Sequence, residues 1–220
     1  MAHEKKREEG VLLPVYLDHA ATTRVCPEAA RAALSAMTGT YGNPSSRHAA
    51  GALAAERLQA DRAAVAAALG CPAQAVYFTS GGTESNNWAI AIAGWAGRRT
   101  GRHVVTTAIE HTAVLEALKA PGRDYEVTYV KPDRSGHVPA EVLRAALRPD
   151  TILVSVMLVN NELGTVQPVA EAARAVREAG SPALVHTDAV QAFCKIPFTP
   201  GELGVDLLSV SGHKLGAPKG

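Results

Sequence analysis

The sequence predicts an α/β fold, with a mainly parallel sheet flanked by helices. Three observations carry this expectation. Short, mostly apolar runs alternate with segments whose apolar positions recur at helical spacing. The apolar runs are nearly continuous, as strands of a parallel sheet covered on both faces must be. Glycine, histidine, asparagine, aspartate and lysine gather in the loops that leave these runs, which is where open α/β sheets bind ligands.

The elements follow in order. "VYLDHA" is a short strand-like run, and "PEAARAALSAM" opens with a proline suited to a first helical turn and continues with helical spacing. "YGNPSS" is turn chemistry. "RHAAGALAAERLQADRAAVAAALG" reads as one long amphipathic helix that ends at Gly70, a C-cap. From there the alternation is regular: "AVYFT" strand, "TESNNWAIAIAGWAG" helix, "HVVTT" strand, "TAVLEALKA" helix, "YEVTYV" strand, "PAEVLRAAL" helix. "TILVSVMLV" then reads as strand, "PVAEAARAVREAG" as helix, "ALVHT" as strand, "AVQAF" as a short helical turn and "DLLSVS" as strand. No internal repeat and no long linker divides the chain.

Composition narrows the function. With 220 residues, 47% hydrophobic and 20% charged, the chain buries a sizeable core. A formal net charge of +1 gives no electrostatic case for nucleic acid or an anionic membrane as the main partner, so small molecules are the expected ligands. No apolar stretch approaches the ~20 residues that span a bilayer. Residues 1–14, which begin "MAHEKKREEG", read as a solvated tail and lead-in of a cytoplasmic protein. The three cysteines, Cys26, Cys71 and Cys194, form neither a disulfide framework nor a zinc ligand set, and the eight histidines include no helical metal-binding pair.

The loops are more specific. In "FTSGGTESNN" the glycines follow a strand and Thr83 opens a helix, a geometry that cradles phosphate but also fits an ordinary glycine turn. His111 stands between a strand and a helix, where it serves either as a polar cap or as a group against a planar ring. Asn160 and Asn161 follow a buried run, open to an Asx turn or to ligand bonding. Asp188 and Gln191 are spaced to share a face, and Asp188 requires either a helix N-cap role or a cationic partner. Ser211, His213 and Lys214 follow the last strand. Taken singly each has an ordinary explanation. Together, in chain order at successive strand ends, they supply the parts of a pyridoxal phosphate site: an amine for a Schiff base, a carboxylate for the pyridinium nitrogen and a cradle for the phosphate.

On these residues, positions 15–220 resemble the cysteine desulfurases, of the class V aminotransferase superfamily of fold-type I pyridoxal phosphate enzymes. The stretches that carry the resemblance are "YLDHAATT", "GNPSSRHAAG", "FTSGGTESNN", "EHTAV", "VNNELGTVQP", "HTDAVQA" and "SGHKLGAPKG", in the family's order. The resemblance implies that Lys214 is the Schiff-base lysine and proton carrier, that His111 stacks on the pyridine ring and that Asp188 pairs with its nitrogen. Asn161 and Gln191 would address the ring oxygen and the substrate, while Gly82, Thr83, Ser211 and His213 would hold the phosphate.

The implied activity is removal of sulfur from L-cysteine, giving L-alanine and an enzyme persulfide that serves a sulfur-acceptor protein. A homodimer is implied as well. Selenocysteine lyase, whose cofactor motifs are nearly the same, and a non-catalytic cofactor-binding fragment are the alternatives, and the destination of the sulfur, iron–sulfur cluster assembly or another, is open. Two departures stand out. Arg24 replaces the family's usual proline, and none of the three cysteines stands in the context of the family's nucleophile, which lies beyond the lysine motif. Residues 15–220 are therefore expected to form an incomplete fold-type I large domain, truncated after the lysine motif without its C-terminal domain, and the isolated 220-residue chain is expected to be inactive.

Overall fold

A computed structural model of the chain describes residues 15–219; the tail read at 1–14 lies outside the described residues. Five strands, β1 (His103–Thr107), β2 (Glu126–Val130), β3 (Thr151–Ser155), β4 (Leu184–Asp188) and β5 (Leu207–Ser209), form one sheet in the order β2-β1-β3-β4-β5. Every pairing is parallel. Sheet growth therefore reverses between β1 and β3, the position at which ligands enter open parallel sheets.

The helices are α1 (Pro27–Thr38), α2 (Ala49–Leu69), α3 (Gly82–Ala96), α4 (Thr112–Leu118), α5 (Ala140–Ala145), α6 (Val169–Glu178) and α7 (Pro200–Leu203). They cover both faces. Val104 of β1 and Leu153 of β3 pack with Ile90 and Ala93 of α3 and with Val114 and Leu118 of α4. Val105 and Val154, one residue further along each strand, face the other way against Leu143 of α5 and Val169, Ala172 and Val176 of α6. Full burial of β1 and β3 explains why their sequences do not alternate, and each such Val or Leu contributes ~1.5–3 kcal/mol.

Two polar rows cross this apolar sheet. His103 of β1 bonds Thr151 of β3 through Nδ1 at 2.8 Å and Thr128 of β2 through Nε2 at 2.9 Å. His186 of β4 bonds Ser155 of β3 through Nδ1 at 2.9 Å and Ser209 of β5 through Nε2 at 3.1 Å. Each imidazole thus satisfies hydroxyls on both neighbouring strands, which is how a buried polar group avoids its desolvation penalty.

The structure corrects three readings. "VYLDHA" and "AVYFT" are extended or turning but pair with no strand among the described residues; Tyr77 is 72% and Phe78 48% exposed. β-branched and aromatic residues favour an extended backbone, yet a strand also requires a partner edge, and that is a non-local property. The long helix ends at Gly70 in the left-handed conformation (φ 68°), as read, but its buried residues, Gly51, Ala54, Ala66 and Leu69, cluster at its two ends rather than along one stripe. "AVQAF" forms the short helical turn read for it, the Ala192 and Phe193 N–H groups both donating to the Ala189 carbonyl at 2.9 Å.

Burial drives the His186 imidazole down to about 4 from 6.5, against the pull of the nearby Asp188 charge. A base with a depressed folded-state value contributes stability that is present above about 6.5 and lost as pH falls toward 4, by up to ~1.4 kcal/mol per pH unit. Urea unfolding of His186→Gln is expected to show lower stability at pH 7 but to lack this one-proton acid slope. A slope retained in the variant assigns the proton to another group.

Candidate active site

At the carboxyl ends of β1, β3, β4 and β5 lies a cavity of about 290 Å³, near the lower bound of the ~300–1,000 Å³ usual for small-molecule sites. Every residue to which the resemblance gives a role lines it: Gly82 and Thr83 before β1, His111 after it, Asn161 after β3, Asp188 and Gln191 at the end of β4, and Ser211, His213 and Lys214 after β5.

Asp188 ends β4 and is 5% exposed. Its Oδ2 accepts from Asn86 Nδ2 at 2.7 Å and its Oδ1 from the Val190 N–H at 3.0 Å. It caps no helix, so of the two roles open to it the structure leaves that of a buried carboxylate facing the cavity. Asn86 escaped the sequence reading. Its signal was positional: it precedes Ala89, Ile90 and Ala93 by three, four and seven residues, on the buried face of α3.

Lys214 closes a single 3₁₀ turn, Gly212–Lys214, directly after β5. Its Nζ donates to the Ala21 carbonyl at 2.8 Å and to the Ala20 carbonyl. Burial first, and then the neighbouring Lys195 charge, lowers the Lys214 ammonium below the usual lysine range, while Asp18 and Asp188 oppose the shift. A larger fraction of nucleophilic amine results. Ala21 lines the facing wall, and its neighbours bond the turn that carries Lys214. Thr22 Oγ1 bonds His213 Nδ1 at 3.1 Å, the Thr23 hydroxyl donates to the His213 carbonyl at 2.8 Å, and Gln191 Nε2 donates to the Ala20 carbonyl at 2.8 Å. Burial, followed by the charges of Lys214 and Lys219, lowers the His213 imidazole below its ordinary value.

The glycine cradle precedes α3. Gly81, the N-cap, adopts φ 153° and ψ −177°, a region essentially restricted to glycine, and Thr83 lies inside the first turn rather than capping it. The Ser80 N–H donates to Glu84 Oε2 at 2.6 Å, and that bond holds the Glu84 carboxyl below its ordinary value. A Cβ on Gly82 would meet Val190 Cγ2 at 3.0 Å, whereas one on Gly81 would meet nothing within 4 Å.

His111 is the N-cap of α4, with Nδ1 accepting from the Ala113 N–H at 3.1 Å, and its ring still borders the cavity. The asparagines divide. Asn160 Oδ1 accepts from the backbone of Glu162 and Leu163 in an Asx turn, leaving Asn161 to the cavity. Among the described residues no cysteine lines the cavity. Cys26 caps α1, Cys71 is half-buried, and Cys194 is exposed at φ 57°.

A model of the class-V aminotransferases matches residues 15–220. The chain belongs to the aminotransferase class-V family. It is 45% identical to cysteine desulfurase IscS of Methanosarcina thermophila, covering 94% of this chain and 51% of that protein. It is also 45% identical to putative cysteine desulfurase IscS 1 of Bacillus subtilis, with 94% and 54% covered. The chain thus spans about half the length of the curated relatives it matches. Among solved structures, a NifS-like protein superposes with a TM-score of 0.90 at 41% identity, covering 94% of this chain and 57% of that one. SspA in complex with cysteine superposes with a TM-score of 0.86 at 36% identity, covering 93% and 59%.

In this class-V chain the two glycines of the cradle fail for different reasons when replaced. Gly81→Ala is expected to cost about 1–3 kcal/mol through backbone strain alone, and Gly82→Ala to cost stability through the Val190 contact. Val190→Ala should rescue the second variant and not the first. Denaturant unfolding of the single and double variants measures this, and rescue of Gly81→Ala would remove the backbone argument.

Proposed function

We propose that the whole protein is a pyridoxal phosphate-dependent cysteine desulfurase, with this chain's cavity holding the cofactor. The observation that carries the reading is the convergence of Lys214, Asp188 and the Gly82–Thr83 cradle on one cavity, in a family whose similar members here are named cysteine desulfurases. The donor set fits the cofactor: an amine with a lowered proton affinity, a buried carboxylate with cavity access, and a cradle in which a side chain on Gly82 would intrude.

When bound, pyridoxal phosphate supplies an electron sink for charge that develops at the substrate Cα. Lys214 would bind it covalently through Nζ and, once released by the incoming amino acid, take the Cα proton on that nitrogen. Asp188, fixed by Asn86 and the Val190 N–H, would hold the ring nitrogen's proton. His111 would cover the ring, Asn161 and Gln191 would orient ring oxygen and substrate, and Thr83, Ser211 and His213 would join Gly82 in binding the phosphate.

The substrate sulfur passes as a neutral atom to a thiolate, forming an S–S bond as the C–S bond breaks. Cysteine and thiol become alanine and persulfide, with no external oxidant required. A protein sulfur acceptor, a homodimeric assembly and a cytoplasmic setting belong to the same proposal. No helix of the described residues is long and apolar enough to cross a membrane.

The test is to load the whole protein with pyridoxal phosphate, reduce it with borohydride and map the adduct, then supply L-cysteine with a reductant. The adduct is expected on Lys214, and alanine and sulfide in equal amounts. Lys214→Ala should lose the adduct and at least about a thousandfold in turnover, the scale set by removing a covalent and proton-carrying group. An unchanged adduct in that variant overturns the assignment.

No described cysteine lines the cavity, and this supports a sulfur-accepting thiolate other than Cys26, Cys71 and Cys194. Replacing all three with serine should leave alanine release within about twofold, since a nucleophile must come within ~3–3.5 Å of its target. Loss of persulfide in Cys194→Ser alone would place the nucleophile on this chain instead.

A further inference from the structure

The reading above makes no use of Glu110, a carboxyl group that is 6% exposed in the loop between β1 and α4, directly before His111. Its Oε1 accepts from the Thr107 hydroxyl at 2.7 Å and from the Met157 N–H at 2.8 Å. Its Oε2 is buried and has no partner.

The first bond lies at the end of β1 and the second just beyond β3. These are the strands between which sheet growth reverses, so the loops leaving them diverge and open the crevice that a ligand enters. One carboxyl oxygen therefore joins the two lips of that crevice. Asn160 adds a second stitch, Nδ2 donating to the Ile109 carbonyl at 2.8 Å. His111 and Asn161, the residues that follow Glu110 and Asn160, both line the cavity. The unpartnered Oε2 bears on the charge of the group. A buried anion with one oxygen unserved is far costlier than the neutral acid in the same place.

We propose that Glu110 is a positioning residue of the site, a neutral carboxylic acid protonated on Oε2. It fixes the β1–β3 crevice beneath His111 and Asn161. Burial raises the Glu110 carboxyl to about 8, with the bonds from Met157 and Thr107 opposing the rise and the Asp188 charge adding to it. The other titratable groups around the crevice among the described residues are His111 on its own loop, His186 on β4, held neutral by burial, and His213 and Lys214 after β5. The proposal rests on the cofactor reading only for what stands above the crevice, since the state of the carboxyl can be measured with the cavity empty.

An acid whose folded-state value is raised contributes stability that is fully present below about 4.5 and lost as pH rises toward about 8. Over that window one proton shifts the unfolding equilibrium roughly tenfold per pH unit. Glu110→Gln keeps the shape and the acceptor but has no proton to lose.

The experiment compares the whole protein, with and without pyridoxal phosphate, as wild type, Glu110→Gln and Glu110→Ala. At pH 7 the wild type is expected to show the infrared carbonyl band of a protonated carboxyl group, absent from Glu110→Gln. The ratio of wild-type to Glu110→Gln unfolding constants should rise roughly tenfold per unit between about pH 5 and 8. Cofactor Kd should stay within about twofold in Glu110→Gln, and rise about tenfold or more in Glu110→Ala, where both bonds of the carboxyl are lost and only the Asn160 stitch remains. A pH-independent ratio, a missing band, or a glutamine variant that loses cofactor as the alanine variant does overturns the proposal. If the alanine variant does not fold, the glutamine comparison decides alone. If even the wild type takes up no pyridoxal phosphate, the cofactor reading fails while the band and the pH slope still judge Glu110.

Discussion

A carboxylate taken out of water costs several kcal/mol unless fixed donors or a cation replace its hydration, and Asp188 is such a group. Its place is dictated by the sheet. β4 is covered on both faces, so its side chains reach a polar environment where the strand ends, and two of the donors there are an α3 amide and a backbone N–H. α3 can reach because its first turn stands over the strand ends. The same turn begins at Gly82, so one helix start both satisfies the carboxylate and forms the cradle. His186, two residues earlier on the same face of β4, extends the polar line inward between Ser155 and Ser209. A polar column thus rises through an apolar sheet and opens at the cavity.

The opposite wall is built from residues distant in sequence. Residues 20–23 bond the turn that carries His213 and Lys214, and the chain continues this pairing as the Cys26 N–H donates to the Gly216 carbonyl at 2.8 Å. The Gly216 N–H in turn donates to the Thr23 hydroxyl at 2.7 Å. Closing so long a loop is entropically costly, growing with the logarithm of its length, and several mutually supporting hydrogen bonds offset that cost here. Lys214 is consequently held by carbonyl acceptors at the border of the cavity. This assigns work to "YLDHAATT", whose first residues periodicity alone read as part of the strand-like run "VYLDHA".

What was legible in the sequence divides along the line between local and non-local physics. Helix α1 begins at its proline, α2 ends at Gly70 and β1 spans the run read for it, because caps, periodicity and continuous apolarity are local signals. The residues at strand ends could be gathered into one site because a parallel sheet brings those ends to one edge. "AVYFT" failed, since pairing depends on which edge lies alongside. Glu110 drew no reading for a related reason. A glutamate beside a histidine in "IEHT" reads as a solvated charge, and only the arrival of the Met157 N–H from another strand reveals a buried acid. Asn86 was within reach, as a polar residue on a face otherwise made of alanine and isoleucine.

The molecule also contains a larger cavity, about 540 Å³, between β5 and the extended residues 76–79. Size alone would make it the better ligand site, but its chemistry points elsewhere. Its walls are Val65, Leu69, Val76, Phe78, Leu208 and Val210 among others, with few titratable groups aimed inward. Among the described residues β5 pairs only with β4, so its outer backbone edge faces this space, and the extended segment opposite is likewise unpaired. Unpaired strand backbone and apolar side chains on both walls call for main-chain hydrogen bonding and burial, whereas a small polar cofactor needs convergent donors and charges. Those converge in the smaller cavity, where a lysine amine, a buried carboxylate and a glycine cradle meet within about 290 Å³. The two spaces share Ser211 and His213, so the turn that carries Lys214 stands between the smaller cavity and the open sheet edge.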